Sequence, residues 1–341
     1  MPHHESEMRQ NALKTPAKLL ALTATFGMFL VLVMGSTVTN TGSEHGCGRS
    51  WPLCHGKLIP QFAVQTFIEF SHRAVVGVES VLIIALAIAV LWLHWDRTEA
   101  RVLAPLMVVF LFLQAGLGAW AVMAPQSSAA LALHFGVSLV AFAGVLLTTV
   151  FLFEVEGGER LRDNQIPGPY RRFVWGLTAY MYFVVYLGAY VRHTHADLAC
   201  AGWPLCNGLA TPDLGSMAAT NYVHRLAAGL LIVGVGALVA WTRPLGAQRP
   251  DLWRGSAAAL AFVILQALSG AAVVLSRVDL FSALSHAALV ALLFGSLSYL
   301  CVHVLPRRSR RVEPPAQEAP TSRSEPQRDP ALVVRFDARD R

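Results

Sequence analysis

The 341-residue chain has a net charge of +6, is 55% hydrophobic and 14% charged, and has a mean hydropathy of +0.49. So much apolar surface, gathered in long runs, excludes an ordinary soluble protein and makes lipid the solvent. The positive charge follows the topology set out below and gives no indication of a nucleic-acid partner.

Residues 1–18 lack the apolar core and small-residue cleavage pattern of a secretory signal, so they read as a cytoplasmic N-terminus. Crossing a hydrocarbon core takes about 20 apolar residues in a structure whose backbone polar groups are all paired. Eight stretches meet that demand: 19–39, 66–93, 102–123, 128–153, 171–191, 218–241, 254–275 and 280–304. The segment 154–170 reads as a linker between the fourth and fifth spans. The tail 305–341, rich in Pro, Arg, Glu and Gln, is expected to be disordered and cytoplasmic.

Basic residues set the orientation. With the N-terminus inside, the inner segments hold Arg9, Lys14 and Lys18; Arg97 and Arg101; Arg160, Arg162, Arg171 and Arg172; Arg243, Arg249 and Arg254; and Arg307, Arg308, Arg310 and Arg311. The outer loops hold only Arg49, Lys57, Arg192 and Arg277, so the positive-inside rule places both termini in the cytoplasm of a cell (inner) membrane.

The chain repeats itself. Trp51-Pro52-Leu53-Cys54 recurs as Trp203-Pro204-Leu205-Cys206, an offset of 152 that then holds for His72-Arg73 and His224-Arg225, Gln114 and Gln266, and His134 and His286. Before that segment the offset is 153, pairing Gly35 with Gly188 and Cys47 with Cys200. Each half contains four spans, so both halves cross in the same direction. The expected fold is an all-α integral membrane protein of eight helices, built as two tandem parallel-repeated four-helix bundles, 19–153 and 171–304, with a pseudo-twofold axis along the membrane normal.

Four of the twelve histidines, His72, His134, His224 and His286, occupy repeat positions inside spans. Each lies about six residues below the outer end of its helix, roughly 9 Å at helical rise. Hydrogen bonding between helices would account for a single such residue. Two per half at equal depth fit opposing axial ligands of one haem iron, because a planar macrocycle supplies the four donors that a zinc or copper site would have to find elsewhere.

Arg73 and Arg225 follow a ligand candidate directly and suit haem propionates, with lipid headgroups as the other reading. Glu69 precedes His72 by three residues and shares its helix face, while its counterpart is Asn221, which cannot ionise. One half therefore has a carboxylate able to relay protons; a helix-start or Arg73 partner is the alternative role. The outer pairs Cys47/Cys54 and Cys200/Cys206 suit disulfides that staple their loops, with redox activity open for the first. Cys301 reads as packing. Gln114 and Gln266 read as interhelical hydrogen-bonding groups, and Gly35, Gly77 and Gly118 with their repeats as close packing or room for a macrocycle.

Together the run Glu69-Phe70-Ser71-His72-Arg73, the later Asn221-Tyr222-Val223-His224-Arg225, His134, His286 and the cysteine pairs resemble the haem A synthase family over roughly residues 19–304. The resemblance implies an oxidoreductase that converts the position-8 methyl of haem O to a formyl group through a hydroxymethyl stage, supplying haem A to terminal oxidases. It implies haem O as substrate between His72 and His134, with Glu69 in catalysis, and haem b as cofactor between His224 and His286. The family's functional cysteine pair maps onto Cys47 and Cys54. Implied partners are haem O synthase and an oxidase assembly factor. Two rivals use parts of the same set: a non-catalytic dihaem b-type electron carrier, and a membrane thiol oxidoreductase, whose cysteine spacings here are not C-x-x-C.

Overall fold

The computed structural model describes residues 2–124, 127–155, 166–208, 211–213 and 215–305, with side chains from residue 13 onward. The tail beyond 305 and linker residues 156–165 lie outside the described residues. Eight α-helices follow in order: α1 Pro2–Asn40, α2 Val64–His94, α3 Thr98–Met123, α4 Ser128–Glu154, α5 Gly168–His193, α6 Met217–Thr242, α7 Pro250–Leu275 and α8 Leu280–His303. All eight contain a segment long and apolar enough to span a membrane, that of α1 running from Leu13 to Asn40. This is a multi-pass membrane protein whose eight spans correspond to the eight expected from sequence; the largest difference is at the first, which begins at Leu13 and not at 19, its helix extending back to Pro2.

Local chemistry explains several helix starts. The Ser127 hydroxyl accepts from the Ala130 N–H at 3.2 Å to cap α4, and the Asp279 carboxylate accepts from Phe281 N–H at 3.0 Å to cap α8. Proline occupies the first turn of α5 and α7, where no backbone donor is lost. Large apolar side chains such as Phe26, Ile88, Phe112 and Leu268 point outward, a belt suited to hydrocarbon.

Helices α1–α4 form one ring, each packed on its neighbours and α4 closing back on α1; α5–α8 form a second ring in the same manner. The rings meet through α1 on α8, α4 on α5, and α4 on α8. Exchanging the halves maps the first two contacts onto each other and the third onto itself, the pattern that a twofold relation requires. Equivalent helices also run parallel. The C-terminal ends of α4 and α8 meet where His303 Nε2 lies 2.9 Å from Glu154 Oε2. Those of α1 and α5 meet where Arg192 donates to the Thr39 carbonyl at 3.4 Å.

Helix α4 is the most enclosed, with 72% of its central segment buried, because it touches α1, α3, α5 and α8. Its residues suit that place: Gly136 leaves room for the Tyr182 hydroxyl of α5, and Thr149 bonds both the Ala21 carbonyl and, at 2.7 Å, Thr25 of α1.

Candidate functional site

Each half brings its two histidines together. His72 and His134 are near enough to interact electrostatically, as are His224 and His286. The first of each pair lies against the backbone of the preceding helix, His72 at Val31 and His224 at Val184, positions that are themselves equivalent in the repeat. The second of each pair meets a glutamine: Gln114 Nε2 lies 3.3 Å from His134 Nε2, and Gln266 Nε2 lies 3.1 Å from the His286 ring nitrogens. The interhelical hydrogen bonds expected of the glutamines are therefore made, and their partners are the buried histidines.

All four imidazoles lie against a glycine. A Cβ would stand 3.3 Å from His72 at Gly35, 3.5 Å from His134 at Gly118, 2.8 Å from His224 at Gly188 and 3.1 Å from His286 at Gly270. Gly77 and Gly229, in contrast, face open space. The four contacts form a cradle repeated once per histidine; a side chain at Gly188, Gly270 or Gly35 would crowd the ring, and one at Gly118 would just touch it.

The arrangement fits a macrocycle better than a bare ion. Among the described residues no group of three or more His, Cys, Asp or Glu could hold a metal, so each half offers two imidazoles and no further protein ligand. The Nδ1 atoms of His134 and His224 and the Oε1 atoms of Gln114 and Gln266 are buried without a hydrogen-bond partner. Buried polar atoms are rarely left so, and they cluster where a polar ligand belongs.

Above the histidines each half is closed by its cysteine loop. Cys47 is bonded to Cys54 and Cys200 to Cys206, as expected from sequence. Glu69 is buried; it pairs with Arg73 and its Oε2 accepts from the Cys47 N–H at 2.8 Å. Arg73 also donates to the Ser50 carbonyl at 2.7 Å and the Leu53 carbonyl at 2.9 Å. In the second half Asn221 turns its amide outward, donating to the Ala196 and Asp197 carbonyls at 3.0 and 2.9 Å, and accepts from Arg225 Nε at 2.8 Å. Arg225 reaches the Gly202 and Cys200 carbonyls at 2.6 Å each. Both arginines thus clamp the loop to the helix that carries the first histidine.

Three residues around the site escaped the sequence reading. Ser269 places its hydroxyl 2.9 Å from His286 Nδ1, whereas the repeat has Leu117 at that position and His134 Nδ1 has no partner. His193, at the end of α5, lies near enough to His134 to interact with it, and its carbonyl accepts from Ser128 Oγ at 2.9 Å. Its counterpart is Asn40, so the repeat carried that signal. The third is Glu79, buried within α2, and its carboxylate inside an otherwise apolar run is the signal that would have marked it.

Comparison with known proteins gives a consistent result. The COX15-CtaA family model, described as cytochrome oxidase assembly protein, matches residues 18–298. The chain is 41% identical to Heme A synthase of Symbiobacterium thermophilum over 293 residues, covering 85% of this chain and 95% of that protein. It is 42% identical to Heme A synthase of an Exiguobacterium species, covering 84% and 93%, and 42% identical to Heme A synthase of Bacillus licheniformis, covering 87% and 98%.

Proposed function

The chain belongs to the COX15-CtaA family of cytochrome oxidase assembly proteins, and from that premise we propose that it is a haem A synthase, a membrane oxidoreductase acting on a methyl group of haem O. The observation that carries the reading is the fourfold histidine–glycine contact, two per helix ring, which prepares two sites of the same construction.

In our reading the two sites differ in task. The N-terminal ring receives haem O between His72 and His134, and the C-terminal ring holds haem b between His224 and His286. Haem b, when bound, supplies one-electron redox chemistry. Ser269 and Gln266 both address the His286 ring, which fixes its orientation and suits a resident cofactor. His134 has only Gln114, and its looser fixing suits a ligand that must enter and leave.

Glu69 is the residue for proton handling in the N-terminal half. Its carboxylate is held by Arg73 and the Cys47 N–H three residues before His72, buried where water does not compete. Asn221 makes equivalent contacts to loop and arginine without an exchangeable charge, so architecture alone does not require a carboxylate there. The Cys47–Cys54 loop keeps the Glu69 carboxylate covered. Arg73 and Arg225 present guanidinium groups at the level where haem propionates would turn outward. The basic residues of the inner segments support a cell-membrane protein with both termini cytoplasmic and the cysteine loops outside. Haem O synthase and an oxidase assembly factor are the partners this activity would have.

Glu69→Gln tests the assignment. It keeps the side-chain shape and is expected to bind haem to the wild-type level while converting no haem O to haem A when pigments are extracted after incubation. Full conversion by this variant would remove Glu69 from the chemistry.

A further inference from the structure

Glu79 takes no part in the reaction as described, yet it is the most unusual group in the N-terminal ring. It follows His72 by seven residues on α2, within 20° of two full turns, so it shares the His72 face and lies about 10.5 Å farther from the cysteine loop. It is 3% exposed, and its Oε1 is sealed without a hydrogen-bond partner. The other oxygen presses on Gly27 of α1, where a Cβ would overlap it. Among the described residues no lysine or arginine pairs with it.

The repeat shows that packing does not ask for this carboxyl. The counterpart of Glu79 is Leu231, and the counterpart of Gly27 is Tyr180, whose hydroxyl donates to the Ala227 carbonyl at 3.0 Å. The same architecture therefore closes with an apolar side chain and a ring in the half assigned to haem b. An ionisable group inside a span is costly, normally faces a bundle interior or cavity, and there marks a functional contact. The cost is carried in one ring only, so it points to a ligand that only this ring receives.

We propose that the Glu79 carboxyl, in the slot opened by Gly27, is a hydrogen-bonding site for a hydroxyl group on the macrocycle held between His72 and His134, and selects a hydroxyl-bearing porphyrin for that ring. This rests on the reading that the N-terminal half receives haem O. Haem O carries a hydroxyl on its long alkyl substituent, and haem b has a vinyl group at that place. A carboxyl accepts from a hydroxyl in either protonation state and donates to it when protonated. A buried site built for such a bond rejects an analogue that leaves it unpaired, which is a stronger discrimination than an apolar pocket gives.

The test is a competition. Full-length protein already carrying haem b in its C-terminal ring is incubated in detergent with an equimolar mixture of haem O and haem b, repurified and extracted; haem O is counted together with any haem A formed, and haem b as the amount gained during the incubation. Glu79→Leu, which installs the residue of the second half, is expected to lower the haem O to haem b ratio roughly tenfold at unchanged total haem, and Glu79→Gln, which still hydrogen-bonds, to stay near wild type. A wild-type ratio in Glu79→Leu overturns the proposal. So does an equal loss of both haems in Glu79→Leu and Glu79→Gln, which would make Glu79 a packing residue. Wild-type protein that prefers haem O without converting it would sink the activity and leave the Glu79 site standing. Protein that converts haem O while Glu79→Leu keeps its ratio would do the reverse.

Discussion

Alanine at the four glycines that face the histidines forms a graded series within one molecule. At Gly188 the new Cβ would stand 2.8 Å from His224 Cε1, at Gly270 3.1 Å from His286, at Gly35 3.3 Å from His72 and at Gly118 3.5 Å from His134. Carbon atoms pack best at about 3.5–4.0 Å, so Gly188→Ala must move the imidazole by roughly 0.7 Å while Gly118→Ala asks for almost nothing. Overpacking of this kind costs about 1–3 kcal/mol, which at 1.4 kcal/mol per decade is a roughly 5- to 150-fold loss of haem affinity for Gly188→Ala. Helix propensity works the other way, since alanine in a helix interior is favoured over glycine by about 1 kcal/mol. Haem-free Gly118→Ala, with no crowding to offset that gain, should therefore unfold no earlier than wild type. Spectral titration of each purified variant with haem b and haem O measures the series, with affinity loss ordered Gly188, Gly270, Gly35, Gly118. Equal losses at all four positions, or a loss at Gly118 with none at Gly188, would refute the claim that these glycines make room for the ligated imidazoles.

Two further outcomes follow from the loops. Arg225→Lys removes the planar fork that reaches the Gly202 and Cys200 carbonyls and Asn221, and is expected to cost about 1–3 kcal/mol of stability, read as a lower thermal-unfolding midpoint; an unchanged midpoint would contradict the clamp. Burial pushes the Asp197 carboxyl above its ordinary value of 3.8, although Arg192 at 3.0 Å opposes the shift. The folded protein then holds that proton more tightly than the unfolded chain. The stability tied to it is complete below about pH 4 and declines as pH rises through the folded value. Asp197→Asn should flatten that part of the profile of unfolding midpoint against pH, and an unaltered slope would show that Asp197 does not set it.

The sequence made the spans and the duplication readable because both leave one-dimensional signals. Twenty apolar residues can do little but cross, and Trp51-Pro52-Leu53-Cys54 with its copy fixes an offset that carries His72 onto His224 and His134 onto His286. What it left out is which helix sits in the middle. Lipid and protein interior are equally apolar, so hydropathy does not separate α4, enclosed by four helices, from α6, which is mostly peripheral. The sign that was present is size, since Gly136, Ser138, Ala141, Ala143, Gly144 and Thr148 crowd α4 with small side chains. The partners of Gln114 and Gln266 were unreadable for a related reason. Their reach to His134 and His286 depends on how α3 turns toward α4 and α7 toward α8, and the mixed apolar pattern of these helices does not specify that rotation.

Compared position by position, the two rings show how one fold would serve the two tasks proposed for it. Where they agree, the residues are those our proposal assigns to holding a macrocycle, namely the histidines, the glycines that face them and the glutamines, together with the arginines that clamp the loops. Where they differ, the direction is consistent. The C-terminal ring has Asn221, Leu231 and Ser269, groups that fix a neighbour or fill space and carry no charge. The N-terminal ring has Glu69, Glu79 and Leu117 at those positions, so it gains two carboxyls on the His72 face and loses the hydroxyl that steadies the second histidine. A ligand that stays requires fixed, neutral surroundings, because every buried charge beside it must be offset permanently. A ligand that is changed and released requires groups that exchange protons and tolerate its departure. Exchanging one pair of these positions between the rings, Leu117→Ser with Ser269→Leu, should therefore tighten retention of the N-terminal ligand and loosen that of the C-terminal one, and haem release rates into excess apomyoglobin would reveal whether both move in those directions.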